Sequence, residues 1–440
     1  MTTGAAEAYA ELGEAAWQWV LAQVRGDDGP WIPVEVSGDE ELARPPVERD
    51  GMHSGIGGLA HVLAEIRTSR PWEEDESALA EAIAVRIRPQ VRTLDDCGFF
   101  DGLVSSIGVL TALGAPGADV AVARLAELAG PDGWPQHWLE PPRHLPGARI
   151  NDVTLGTGAV LLGALWAHRH DVPGAGALAQ HAAEVLMAES ELLPSGTNWL
   201  FVPRRFCVGE IAEMPNFSHG LSGIAAALAV AGTELARPDM VAAALGGAEH
   251  LVTLGDDSAG GFVVPTRIPP SPDVEPVTFT WCHGPAGTSY LFAALERAGV
   301  DQVAGRSPAQ WHRRCLTSER ASGLPARVRP GFWDNDGRCC GTAGVGEVFL
   351  DSFERTGEQG DLDFAIVLAD ALVERTVRDG PYAYWRFLEH RNPEPLLPPG
   401  VGWMQGAAGI AAFLVRISRV LRGGPGGAPR MENWWALPAD

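Results

Sequence analysis

Residues 337–347 read GRCCGTAGVGE, and residues 281–287 read WCHGPAG. Cys339 and Cys340 in the first stretch and Cys282 in the second stand just before Gly-x-x-Gly turns. Six cysteines in 440 residues do not make a disulfide scaffold. Three of them gathered at two like turns point to metal binding. Three thiolates suit zinc, which takes cysteine sulfur at about 2.3 Å and prefers four ligands. Three protein ligands leave the fourth position open, the mark of a catalytic rather than a structural site. The plain alternative, two small hydrophobes in a core, fits a lone Cys-Cys pair but leaves the matching Cys282 unexplained. In SHG at 218–220, His219 holds the place that Cys340 holds in its own turn. Imidazole titrates near neutrality, so a histidine there can take and return a proton. His283 is open between a fourth ligand, a partner behind the ligands and the rim of the site. Asp152, four residues before Gly156, is either an N-cap or a member of the same constellation.

The turns that carry these residues recur along the chain. A small-residue turn followed by an apolar run begins at Gly55, Gly102, Gly156, Gly220, Gly284, Gly341 and Gly406, with gaps of 47 to 65 residues. Each gap has room for a second, amphipathic helix, expected at 5–25, 77–94, 117–129, 174–193, 238–254, 308–321 and 361–379. The runs after the glycines, such as GIAAALAVA from Gly223, are small and apolar on most sides, which suits buried helices. Repeated helical hairpins form an open solenoid or a closed ring, and the buried helices favour a ring with an inner and an outer layer. Its inner-helix N-termini would lie at one end, where their dipoles favour thiolates and carboxylates. Neighbouring inner helices packed about 8–10 Å apart would let Cys282, Cys339 and Cys340 converge on one ion. Glycines at Gly55 and Gly102, with no chemistry beside them, fit close packing alone.

Composition bounds the rest. Apolar residues make up 46% and charged residues 20%, ordinary for a folded chain. The net charge of −23 repels phosphate backbones and argues against nucleic acid. The N-terminus carries Glu7, Glu11 and Glu14 and no basic region, unlike a signal peptide. No apolar run reaches membrane-spanning length. A cytoplasmic protein of one domain, 1–440, is expected. Residues 260–266, GGFVVPT, are candidates for a short strand; the Pro-rich stretches 135–148, 265–276 and 392–400 read as loops, and Trp434 and Trp435 lie in a tail of open role.

SHGLSGI, WCHGPAG and CCGTAGVGE, in that order in a seven-repeat chain, resemble lanthionine synthetase C-like proteins, the lanthipeptide cyclases, over essentially the whole length. The resemblance implies an all-α fold, an α/α toroid (double barrel) of seven inner and seven outer helices. It implies zinc held by Cys282, Cys339 and Cys340, with His219 and Asp152 as catalytic residues. The implied reaction adds a peptide cysteine to dehydroalanine or dehydrobutyrine, closing a thioether ring. The implied partners are a dehydrated precursor peptide and, with it, a dehydratase and a transporter. Many family members have Cys-His where this chain has Cys339–Cys340, which changes the charge on the site. Two alternatives stand beside the cyclase: thiol addition with glutathione, and a non-catalytic zinc-containing scaffold that binds peptides. A glycosidase would use acids such as Asp101 and Asp152 but leaves the cysteines unexplained.

Overall fold

The computed structural model describes residues 2–37, 45–136, 139–326, 335–389 and 394–424. These contain fourteen α-helices: α1 (Thr2–Gln23), α2 (Gly58–Arg67), α3 (Glu74–Gln90), α4 (Leu103–Leu113), α5 (Ala118–Leu128), α6 (Thr157–Arg169), α7 (Ala175–Ala188), α8 (Leu221–Glu234), α9 (Pro238–Leu254), α10 (Pro285–Arg297), α11 (Pro308–Ala321), α12 (Thr342–Thr356), α13 (Gln359–Arg375) and α14 (Ala407–Gly423). Six short strands pair as three antiparallel hairpins: β1 (Glu191–Leu193) with β2 (Gly196–Asn198), β3 (Val377–Asp379) with β4 (Tyr382–Tyr384), and β5 (Phe387–Leu388) with β6 (Leu396–Leu397). Among the described residues no helix is long and apolar enough to cross a membrane.

The expected alternation is present. Residues Thr157–Ala167 of α6 and Pro285–Leu295 of α10 are buried without a break. By contrast α13 buries one stripe, Leu362, Ala365, Leu368, Ala369 and Leu372, at the spacing of an amphipathic helix. Small side chains all round let the first kind be enclosed; charges on the far face keep the second kind in contact with water.

The contacts fall into two sets. One comprises residues 91–108 and 116–321. Within it α6, α8 and α10 follow one another side by side, and α7, α9 and α11 each pack on the buried helix before them. The other comprises 1–90, 109–115 and 322–432. There α14 is flanked by α2 and α12, and α1 lies along it, so the first helix packs on the last. This second core contains ions. Arg416, 2% exposed, is bonded to Glu347, to Glu354 and to Asp351 at 2.6 Å, and Arg338 reaches Glu347 at 3.0 Å.

The buried helices other than α10, which begins at Pro285, share one way of starting. The first N–H groups of a helix have no partner within it, and here the preceding loop supplies one. Thr157, Leu221, Thr342 and Ala407 each donate to the carbonyl seven residues earlier, Ile150, Met214, Asn335 and Gly400, at 2.9–3.0 Å. That carbonyl passes directly over the first turn residue. A Cβ added at Gly220 would stand 1.5 Å from the Met214 oxygen, and one at Gly341 2.1 Å from the Asn335 oxygen. Glycine is therefore required by close approach.

Three expectations are corrected. The helices expected at 174–193 and 361–379 stop at Ala188 and Arg375, and hairpins follow. Pro194 disfavours helix at the residue before it, and Gly380, at φ +57°, opens the two-residue loop Gly380–Pro381. In both cases a tryptophan after the hairpin closes the helix end: Trp199 Nε1 donates to Leu186 at 2.7 Å and Trp385 Nε1 to Leu372 at 2.8 Å. Residues 260–266 form no strand; Val263 makes a single bridge with Asp256, and Phe262 is buried. Trp434 and Trp435 lie outside the described residues.

Candidate functional site

In the turns before α6, α8 and α10 the residue four places before the glycine is polar: Asp152, Asn216 and Thr280. Each accepts the N–H of the residue just before the glycine. Asp152 Oδ1 takes Leu155 N–H at 2.7 Å, Asn216 Oδ1 takes His219 N–H at 2.9 Å, and Thr280 Oγ1 takes His283 N–H at 3.0 Å. The backbone that presents the chemistry is thus pinned locally.

Asp152 does more. Its Oδ1 also accepts from the Thr154 and Gly156 N–H groups at 3.2 and 3.0 Å. Its Oδ2 accepts from Thr154 Oγ1 at 2.8 Å and faces His219 Nδ1 at 2.7 Å. Asp152 is not the N-cap of α6, which is Gly156 with no side-chain cap; it holds the loop before the helix and lies beside His219. Asp152 is fully buried, whereas the His219 side chain is 31% exposed. A buried, multiply bonded carboxylate beside Nδ1 fixes the ring and holds a proton on that nitrogen, which leaves Nε2 for exchange. Phe201 stands edge-on to the His219 ring, and the His283 ring lies 5.3 Å from it, centre to centre.

Cys282 belongs to the same neighbourhood. Its carbonyl accepts the Ser218 N–H at 2.9 Å, which ties the turn before α10 to the turn before α8. Its Sγ lies 3.3 Å from Thr280 Oγ1 and 3.1 Å from His283 Nδ1. Burial lowers the pKa of His283, but the Cys282 thiolate charge and hydrogen bond outweigh it and the net shift is upward.

Cys339 and Cys340 precede α12. The Cys339 N–H donates to the Met404 carbonyl at 2.8 Å, and the Cys340 thiol lies 3.2 Å from the Cys339 sulfur. Cys282 in one unit, and Cys339 with Cys340 in the other, offer three sulfur ligands at like turns. Zinc takes thiolate ligands readily, so this donor set fits zinc. The other cysteines differ. Burial pushes the Cys97 and Cys315 thiols up, as it does, less strongly, the half-buried Cys207. Thiols of that kind are inert packing groups.

The sequence reading omitted Asn216, Thr280 and Thr154. The signal was available: a polar residue four places before the glycine recurs in NDVTLG, NFSHG and TWCHG, a register visible once the turns are aligned.

Comparison with known proteins now bears on the geometry. The family model described as "Lanthionine synthetase C-like protein" matches residues 46–419. Among solved structures the chain is similar to one titled "Nisin cyclase", with a TM-score of 0.52 and 13% identity, over 86% of this chain and 90% of that one. It also matches an unsaturated glucuronyl hydrolase from Bacillus sp. GL1, with a TM-score of 0.43 and 13% identity, over 97% of this chain and 98% of that one. A search of curated sequences gives no match. The first likeness shows the fold, an α/α toroid, as the alternating buried and amphipathic helices lead one to expect.

Proposed function

The chain belongs to the lanthionine synthetase C-like family, and on that premise we propose that it is a zinc-dependent lanthipeptide cyclase, a single domain over 1–440. The observation that carries the reading is the thiol set at two like turns, Cys282 before α10 and Cys339 with Cys340, 3.2 Å apart at sulfur, before α12, which we infer to share one ion. Zinc bound there would supply a Lewis acid that deprotonates an incoming thiol. The chain's own residues do the rest. His219, oriented by Asp152, accepts the proton of the substrate cysteine. The sulfur forms a bond to the β-carbon of dehydroalanine or dehydrobutyrine. The π electrons move toward the α-carbon and its carbonyl, and protonated His219 returns a proton to the α-carbon. Atoms and charge balance, and the imidazole ends as it began. The substrate is a dehydrated precursor peptide, with a dehydratase upstream and a transporter downstream. The six cysteines, none of them in a disulfide, suit a reducing cytoplasm.

The test pairs metal analysis with ring closure. Wild-type chain purified without chelator is expected to contain about one zinc and to cyclise a synthetic dehydroalanine–cysteine peptide faster than background. Cys282→Ala and Cys339→Ala are each expected to lose both. Zinc retained in both variants would remove the shared site, and zinc without cyclisation would leave a scaffold.

A further inference from the structure

A cavity of about 140 Å³ opens beside the Cys339–Cys340 turn. Phe387 of β5, Leu397 of β6 and Pro398 give it an apolar wall, and Glu35, Ser54 and Gln405 give it polar groups. Its place relative to the thiols follows from the backbone. Gln405 comes directly after Met404, whose carbonyl accepts the Cys339 N–H at 2.8 Å. Ser54 and Gln405 also occupy, in the first and last repeats, the position just before the turn glycine that His219 and Cys340 occupy in theirs. The cavity therefore belongs to the helix end where the chemistry is.

Glu35 distinguishes this cavity from a plain apolar recess. Its backbone is fixed: Val36 N–H donates to Pro399 and Val401 N–H to Val34, at 2.9 and 3.1 Å, and Glu35 bridges Gly400. Among the described residues no arginine forms an ion pair with its carboxylate, although most half-buried carboxylates of this chain have one. Partial burial raises its pKa, so the charged form is destabilised until a cation joins it. A recess of this size is comparable to the roughly 150 Å³ that holds a benzene-sized group. An aliphatic stem along the wall with a cationic head at the carboxylate satisfies both halves, and the net charge of −23 draws cations toward the surface.

We propose that this cavity is a specificity pocket that takes the side chain of a lysine or arginine flanking the reacting cysteine of the substrate peptide. The stem lies against Phe387, Leu397 and Pro398, and the head pairs with Glu35. The assignment rests on the cyclase reading for its substrate, but not for the binding it predicts.

The experiment is therefore a binding measurement on the full chain. Fluorescein-labelled peptides carry alanine in place of the reacting cysteine, so that no ring can close. Beside that alanine stands lysine in one and norleucine, of like length and uncharged, in the other, placed before it in one pair and after it in a second. Anisotropy should give the lysine peptide a Kd lower on the order of tenfold in at least one pair. In Glu35→Gln the ratio should fall to about one through weaker lysine binding, with norleucine unchanged. Equal affinities in the wild type, a lysine preference that survives Glu35→Gln, or no binding of any peptide would each overturn the pocket. A Glu35-dependent preference in a protein that never cyclises would keep the pocket and remove the cyclase; cyclisation without the preference would do the reverse.

Discussion

The turns before α8 and α12 make the most informative pair in the molecule. Their backbones are alike: Leu221 bonds Met214 and Thr342 bonds Asn335, both at 3.0 Å, and both glycines lie under a carbonyl that admits no Cβ. Their side chains are not alike. One presents His219, 31% exposed and braced by the buried Asp152; the other presents Cys340, buried beside Cys339. The repeat supplies a chemically blank helix start, and in the function proposed above the residue before the glycine makes it an acid–base or a ligand. Helix starts without such residues, at Gly55 and Gly102, show the same crowding, with a would-be Cβ 2.4 Å from backbone atoms. The glycines are thus architectural and the chemistry is added to them.

If that division holds, the sharpest break comes from the side chains alone. His219→Ala should lower ring-closure rate by about 10²–10⁴, the usual scale of a positioned acid–base, with zinc content and Tm near wild type. Asp152→Asn should lose a smaller part of the rate, because Thr154 still braces Nδ1 at 3.2 Å, and should cost little stability, because its Oδ1 still accepts the three backbone N–H groups. Single-turnover kinetics and thermal unfolding on both variants separate the roles. A His219→Ala variant that melts early would mean the side chain is structural and the division is wrong.

The complementary break is in the backbone. Gly220→Ala puts a carbon 1.5 Å from the Met214 oxygen, a contact only loop movement can relieve. The expected cost is on the order of 4–5 kcal/mol, the class reserved for a strained special position. Gly360→Ala, at a helical site with nothing within 4 Å of the added carbon, should be neutral or stabilise by up to about 1 kcal/mol. Chemical denaturation of the two side by side measures the contrast, and equal effects would deny the turn its role.

What the sequence made legible follows the same division. The seven glycine turns, the alternation of buried with amphipathic helices, and the like registers of His219 with Cys340 and of Cys282 with Cys339 are periodic features, and periodicity survives in a single chain. The ends of α7 and α13 were not legible, because apolar spacing runs on through Glu191–Leu193 and Val377–Asp379, and only the backbone preferences of Pro194 and Gly380 mark the stop. The Asp152–His219 contact joins residues 67 apart, and no local pattern encodes it. Glu35 was invisible for the same reason: its pocket is assembled from both ends of the chain.

A third turn tests the comparison more finely. The helix start of α8 is held by Asn216, which does not titrate. That of α10, which follows Cys282 and His283, is held in addition by Glu319 of α11, whose Oε1 accepts the Ala286 N–H at 2.8 Å. Glu319 is fully buried, and burial pushes its carboxyl up to about 8 against the pull of that N–H. Its folded pKa thus exceeds its unfolded value near 4.5. The sign follows: its contribution is whole below the unfolded pKa and is lost as pH rises through the folded one. Glu319→Gln keeps the acceptor and removes the titration. Its Tm should match the wild type near pH 4.5 and exceed it by a few degrees near pH 8.5, a gap of at most a few kcal/mol. A gap that opens smoothly between those limits would show α10, unlike α8, to have a pH-sensitive start. A constant gap would mean that Glu319 is charged throughout, and that the two helix starts are equivalent after all.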